Sequence, residues 1–217
     1  MLVSASTNPP KQEEMLGYIK SLENSGIDFV HCDCMDGVLV KAKTFDYAFL
    51  PKIREVSTLP LDVHIMVHNP AKVYKKYVEY GANILSVHHE CFENKRQLIE
   101  VLNDIKSIGC KPSIAVKIES NIEDVFEFLP YCENVLVMSV KIGKSGQTFD
   151  QTAIEKIKKL TKFIKQNKLN ITIEVDGGVN DQNVATLNSL GVDCVVVGGY
   201  LFGSSDKNLA VKKLKNC

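Results

Sequence analysis

Two histidines and two carboxylates stand at corresponding places in short apolar runs of this chain. In Val30-His31-Cys32-Asp33-Cys34-Met35-Asp36-Gly37, strand alternation puts His31, Asp33 and Met35 on one face and Cys32 and Cys34 on the other. The run from Leu61 to Val67 repeats the pattern, with Asp62, His64 and Met66 sharing a face, and a later run offers Thr172, Glu174 and Asp176 before Gly177-Gly178. Ionisable groups in the middle of an apolar strand need partners. If the three faces share one interior, His31, Asp33, His64 and Asp176 converge. Neutral imidazole with carboxylate is a ligand set for one divalent ion, Zn, Fe, Mn or Co, and a site open on one side would accept a substrate oxygen. A buried hydrogen-bonded network of satisfied core residues is the competing reading. Four such residues on three strand ends favour the ion.

A second constellation is rich in glycine: Gly143-Lys144-Ser145-Gly146, Gly177-Gly178 and Gly198-Gly199, each following a β-rich run late in the chain. Glycines there would let backbone N–H groups approach a phosphate, although each pair is also what a tight turn requires. No Gly-x-Gly-x-x-Gly opens a helix after the first strand candidate, so a dinucleotide site is not supported. The seven cysteines, Cys217 among them, lie scattered in apolar stretches without metal-site or disulfide spacing. Cys32 and Cys34 point away from His31 and Asp33 and read as small buried hydrophobes.

Eight strand candidates must position these groups: Leu2 to Ser6, Ile27 to Cys34, Leu61 to Val67, Ile84 to His88, Pro112 to Lys117, Asn134 to Ser139, Ile171 to Val175 and Cys194 to Val197. Between them lie segments with helical spacing, such as Met15, Ile19 and Leu22, or Leu98, Val101, Leu102 and Ile105, with Asn69-Pro70 and Asn180 as candidate caps. Gly26, Gly81, Gly109 and Gly191 precede strands, where an ending helix needs a residue that tolerates positive φ. Eight βα units in a chain of 217 residues predict an α/β fold, a single (β/α)8 barrel over 1–217, with the chemistry at the C-terminal ends of the strands. A doubly wound open sheet is the alternative, because periodicity does not show closure.

Composition agrees with an enzyme-sized globular protein: 45% of residues are hydrophobic and 24% charged, which excludes a disordered chain. Twenty-six basic residues balance twenty-six acidic ones, so nucleic acid and anionic membrane are not expected partners. No signal-peptide pattern or membrane-length apolar run is present, and the expectation is a cytoplasmic protein with reduced thiols.

The segments His31-x-Asp33-x-Met35-Asp36-Gly37, Leu61-Asp62-Val63-His64-Ile65-Met66, Met138-Ser139-Val140 and Glu174-Val175-Asp176-Gly177-Gly178-Val179 resemble the ribulose-phosphate 3-epimerase family, in a register followed from Ser6 to about Gly203. That resemblance implies a (β/α)8 (TIM) barrel of the pentose phosphate pathway that interconverts D-ribulose 5-phosphate and D-xylulose 5-phosphate. It implies that His31, Asp33, His64 and Asp176 bind one divalent metal ion and that Asp33 and Asp176 move the C3 proton from opposite faces. A proton α to a ketone is too weakly acidic for a carboxylate alone, so the enediolate needs Lewis-acid stabilisation, and inversion needs a second acid. Met35, Met66 and Met138 would line the planar intermediate, or else fill core. Ser6, His64, Gly143, Lys144, Ser145, Gly146, Gly177, Gly178, Gly198 and Gly199 would contact the substrate, and family oligomers imply self-association.

The departures from the family lie in loops: Thr7-Asn8-Pro9-Pro10 for Leu-Ser-Ala-Asp, Lys41-Ala42 for Pro-Asn, Lys117-Ile118-Glu119 for Asn-Pro-Gly, and Val140-Lys141-Ile142-Gly143-Lys144-Ser145-Gly146 for Val-Asn-Pro-Gly-Phe-Gly-Gly. Lys144 would add charge for a phosphate or remain a solvated loop lysine. The altered rim admits a related ketose phosphate such as allulose 6-phosphate, or a phosphosugar-binding barrel without turnover. A related sugar-phosphate lyase would carry Asp-x-Lys where this chain has Asp62-Val63-His64.

Overall fold

The computed structural model describes residues 1–8 and 10–216; Pro9, one of the departures from the family sequence, and Cys217 lie outside them. Eight parallel strands close in sequence order into a barrel, which settles closure against an open sheet. They are β1 (Leu2–Ser6), β2 (Phe29–Met35), β3 (Leu61–Met66), β4 (Ala82–His88), β5 (Lys111–Val116), β6 (Asn134–Met138), β7 (Thr172–Asp176) and β8 (Cys194–Val197). The helices are α1 (Gln12–Leu22), α2 (Leu50–Arg54), α3 (Tyr74–Glu79), α4 (Lys95–Ser107), α5 (Thr152–Gln166), α6 (Val184–Ser189), α7 (Gly199–Phe202) and α8 (Lys207–Lys215).

Alternation along each strand separates two environments. Val30, Cys32 and Cys34 of β2, Val63 and Ile65 of β3, and Val195 and Val197 of β8 face outward into one continuous core with the helices. The inner faces are mixed. Ala115, Leu136, Met138 and Val196 form one inner apolar cluster, and Met35 and Met66 belong to another near the rim. Deeper inside, Ser113 links Ser86 and Asn134, and Asn134 donates to Glu174 at 2.8 Å. A buried layer of this kind is tolerated because each group finds a partner in the pleat beside it.

Several boundaries differ from the periodicity. β2 begins at Phe29, two residues later than expected, and runs on to Met35. β4 begins at Ala82, and β7 extends through Asp176. The segment after β5 is a 3-10 stretch, Ile122–Tyr131, with Pro130 inside it, where the missing N–H disfavours an α-helix. Asn69 precedes the 3-10 turn Pro70–Lys72 without a side-chain cap bond. Asn180 is not the cap of α6: its Oδ1 accepts from the Gln182 N–H in a turn, and Asn183 occupies the cap position. Gly26, Gly81, Gly109 and Gly191 all have φ between +86° and +107°, as a chain leaving a helix for a strand requires.

Candidate active site

Strand register brings the ionisable residues to one end of the barrel. Ser6 pairs with His31, Asp33 with His64, Met35 with Met66, and Met138 with Asp176. Local bonds hold β2 in this register beyond its end. Thr44 Oγ1 donates to the Asp33 carbonyl at 2.6 Å and accepts the Met35 N–H at 2.9 Å. Asp36 caps the following turn by accepting from Val38 and Leu39, and ties it to the end of β3 through the His68 N–H at 2.7 Å.

One donor atom from each of His31, Asp33, His64 and Asp176 lies within 4.8 Å of the other three. His31 Nε2 is 3.4 Å from Asp33 Oδ1 and 3.9 Å from Asp176 Oδ2, and His64 Nδ1 is 3.3 Å from Asp33 Oδ1. Both ring nitrogens are buried and make no hydrogen bond. An orphaned buried polar atom costs about 1–3 kcal/mol, and here two of them face two carboxylates. Two imidazoles and two carboxylates around one point fit a divalent metal ion, and these residues could hold one.

The bonds beneath this cluster orient it. His31 Nδ1 lies 2.5 Å from Asp62 Oδ2, which turns Nε2 toward the other three groups. Asp62 also accepts from Ser4 Oγ at 2.9 Å and lies close to Glu174. Burial and the Asp62 charge push the Glu174 carboxyl well above the usual range. His31, Asp62 and Glu174 also lie close enough together to suit an ion, but their internal bonds make them the support of the upper cluster. On the other side His64 Nε2 meets His88 Nε2 at 2.8 Å. Asp62, Glu174 and His88 are absent from the site expected from sequence. The signal for them was the inward parity of ionisable residues on β3, β7 and β4.

The electrostatics separate the two carboxylates. Burial alone would raise Asp33, but the charge of His31 and the close approach of the His31 and His64 rings outweigh it and hold Asp33 well below the usual range. Asp176 is pushed up to about 7 by burial and by the neighbouring Asp33 charge. Burial would lower His31, yet Asp62 and Asp33 hold it well above its usual value. Burial keeps His64 low.

Above the cluster opens a cavity of about 660 Å³. Ser6, Asp33, Met35, Met66, Met138, Asp176, Gly177, Gly178, Gly198, Gly199 and the whole of Gly143-Lys144-Ser145-Gly146 line it, so every residue expected at the site except His31 and His64 borders it directly. Those two are fully buried in its floor. Asn8, Gln147, Asn180, Asn183 and Tyr200 also line it and were not anticipated, because loop polarity has no period. Ser139 fixes the β7 turn by donating to the carbonyls of Asp176 and Gly177 at 2.9 and 2.6 Å. The loop after β6 then lies against it: at Gly178, with φ +63°, a Cβ would stand 2.3 Å from the Phe149 nitrogen. Gln147 donates to the carbonyls of Lys141 and Lys144, both at 2.7 Å, and so closes that loop on itself.

The comparisons agree with this geometry. The chain is 37% identical over 198 residues to the ribulose-phosphate 3-epimerase of Aquifex aeolicus, covering 91% of this chain and 88% of the relative. It is 38% identical over 198 residues to that of Helicobacter pylori, covering 91% and 89%. Among solved structures, a 3-hexulose-6-phosphate synthase superposes with a TM-score of 0.72 over 100% of this chain and 99% of the other at 14% identity, a likeness of fold alone. Residues 3–202 match the Ribulose-phosphate 3 epimerase family, and with relatives of this similarity and coverage the chain belongs to that family.

Proposed function

We propose that residues 1–217 act as one catalytic barrel that interconverts D-ribulose 5-phosphate and D-xylulose 5-phosphate by moving a proton at C3. The observation that carries this reading is the convergence of His31, Asp33, His64 and Asp176 on one point at the floor of an open cavity. Held there, a divalent ion, Zn, Fe, Mn or Co, would supply Lewis-acid stabilisation of the negative charge that develops as the C3 proton leaves. Asp33 and Asp176 are the two groups that exchange that proton. Inversion requires an ionised carboxylate on one face of the carbon and a protonated one on the other. Their opposite shifts in acidity suit that division.

The remaining residues bind, orient and exclude water. Ser6 Oγ donates to Asp33 Oδ2 at 3.1 Å, which fixes one carboxylate against the substrate side of the barrel. Met35, Met66 and Met138 present a polarizable apolar wall to the reacting carbons. Backbone N–H groups at Gly177, Gly178, Gly198 and Gly199 and in the 143–146 loop receive the phosphate, with Lys144 adding charge. No helix among the described residues is long and apolar enough to cross a membrane, and the described cysteines are free thiols, which supports a cytoplasmic enzyme.

The reading is tested by assaying metal-replete protein with ribulose 5-phosphate and allulose 6-phosphate in parallel while metal content is measured. Turnover of the pentulose phosphate with about one ion per chain is expected. Preference for the hexulose phosphate would reassign the substrate, and no turnover of either would leave a binding barrel.

A further inference from the structure

The two histidines of the cluster are supported differently. His31 is bonded directly to the carboxylate of Asp62, whereas His64 is bonded to a second imidazole, His88, at 2.8 Å between their Nε2 atoms. A hydrogen bond between two ring nitrogens contains one proton, so one ring donates and the other accepts. Which ring donates decides whether His64 Nδ1 carries a lone pair or a hydrogen.

The surroundings of His88 decide it. His88 is buried at the end of β4, and its Nδ1 faces Glu90 Oε2 at 3.7 Å, an electrostatic contact longer than a hydrogen bond. The other oxygen, Glu90 Oε1, is occupied: Ser120 Oγ donates to it at 2.8 Å, and His89 Nε2 and Lys117 Nζ lie 3.5 and 3.7 Å away. The loop that delivers Lys117 and Ser120 is fixed from α5, where Lys156 Nζ bonds the carbonyls of Lys117, Ile118 and Ser120. A carboxylate anchored through Oε1 therefore leaves Oε2 toward His88 Nδ1, and it favours a hydrogen on that nitrogen. His88 Nε2 then carries the lone pair and accepts from His64 Nε2–H. That leaves His64 Nδ1 as a lone pair for a cation in the cluster, whereas without a cation Asp33 Oδ1, 3.3 Å away, draws a hydrogen to the same nitrogen.

We propose that Glu90 and His88 are positioning residues forming a carboxylate–imidazole relay that sets the tautomer of His64 so that its Nδ1 is presented to a metal ion. The proposal rests on the metal reading given above. It also gives a role to the loop 117–120, where Lys117 and its neighbours depart from the family pattern.

The test uses 15N-labelled full-length protein loaded with Zn2+, in which long-range 1H–15N spectra report the protonated ring nitrogen, and chelator-treated protein for Zn2+ affinity by competition with a chromophoric chelator. The Zn2+-loaded wild type should show His64 protonated on Nε2 and His88 on Nδ1. His88→Leu should bind Zn2+ about 10–100-fold more weakly, the usual loss for an outer partner of a ligating histidine. His88→Gln, whose amide oxygen can still accept from His64, should recover most of that loss. Zn2+-loaded protein with His88 protonated on Nε2 would overturn the relay without any variant having to fold. So would a His88→Leu protein that binds Zn2+ as tightly as wild type. A wild-type protein that binds no Zn2+ would instead remove the metal reading and the relay with it, an outcome the wild-type titration identifies by itself.

Discussion

Asp33 and Asp176 approach the same nitrogen, His31 Nε2, to 3.4 and 3.9 Å from strands on different sides of the barrel mouth, and their acidities are driven apart. Asp33 is held ionised by His31 and His64 despite its burial, and its charge helps keep Asp176 protonated up to about pH 7. Two like groups thereby become an unlike pair, one ready to accept a proton and the other to give one.

Replacing Asp176 by Asn removes one half of that pair and keeps the shape. General acid–base catalysis contributes about 10²–10⁴-fold, so Asp176→Asn should lower kcat by at least that range. A steady-state assay showing the wild-type rate would refute the two-carboxylate scheme.

The same substitution should change stability in the opposite sense. A carboxyl whose folded pKa, about 7, exceeds its ordinary 3.8 contributes fully below the lower value, and that contribution is lost as pH rises through the higher one. Metal-free wild type should therefore lose on the order of 2–4 kcal/mol between about pH 4 and 7 through this group. Asp176→Asn should lack that loss, so its advantage over wild type should be larger at pH 8 than at pH 5. Urea denaturation of both proteins in chelator checks this, and parallel pH profiles would contradict it.

The strand-borne cluster was legible in the sequence because a strand has period two: His31 and Asp33, then His64, fall on the inner face as soon as β2 and β3 are recognised. Glycines before strands gave the βα repeat, since four of them take the positive φ that ends a helix. Cross-strand partners were not legible. That His64 meets His88 and that Asp62 meets Glu174 depends on closure and register across β3, β4 and β7, which no single strand reports. Asn180 misled as a cap because an asparagine that bonds its own turn has the same local signature as one that begins a helix.

Lys144 borders the cavity on the loop after β6, and in the proposed reading it adds charge for the substrate phosphate. Lys144→Ala should raise KM for the ketose phosphate by about 3–10-fold with little change in kcat, the effect of one partly screened charge. The difference from wild type should shrink in high salt. An unchanged KM at low ionic strength would make Lys144 a solvated loop residue.

Gly178 is fixed by its surroundings as well as its φ, because a Cβ would meet the Phe149 nitrogen and the Gln147 carbonyl at 2.3 and 2.9 Å. Neither backbone atom can yield without moving the loop over the cavity. Gly178→Ala should cost at least about 2 kcal/mol, roughly 4–8 °C in Tm for a chain of this size, and reduce activity through displacement of the 143–149 loop. A thermal melt and turnover equal to wild type would contradict the packing described.

Solvent exchange at C3 tests the central claim most directly. Wild-type protein incubated in D2O with ribulose 5-phosphate should place deuterium at C3 of both pentulose phosphates, seen by NMR. Stripping the metal with chelator should stop that exchange, and restoring a divalent ion should revive it. Exchange that persists undiminished in metal-free protein, or that fails in metal-replete protein with pentulose and hexulose phosphates alike, would contradict the account.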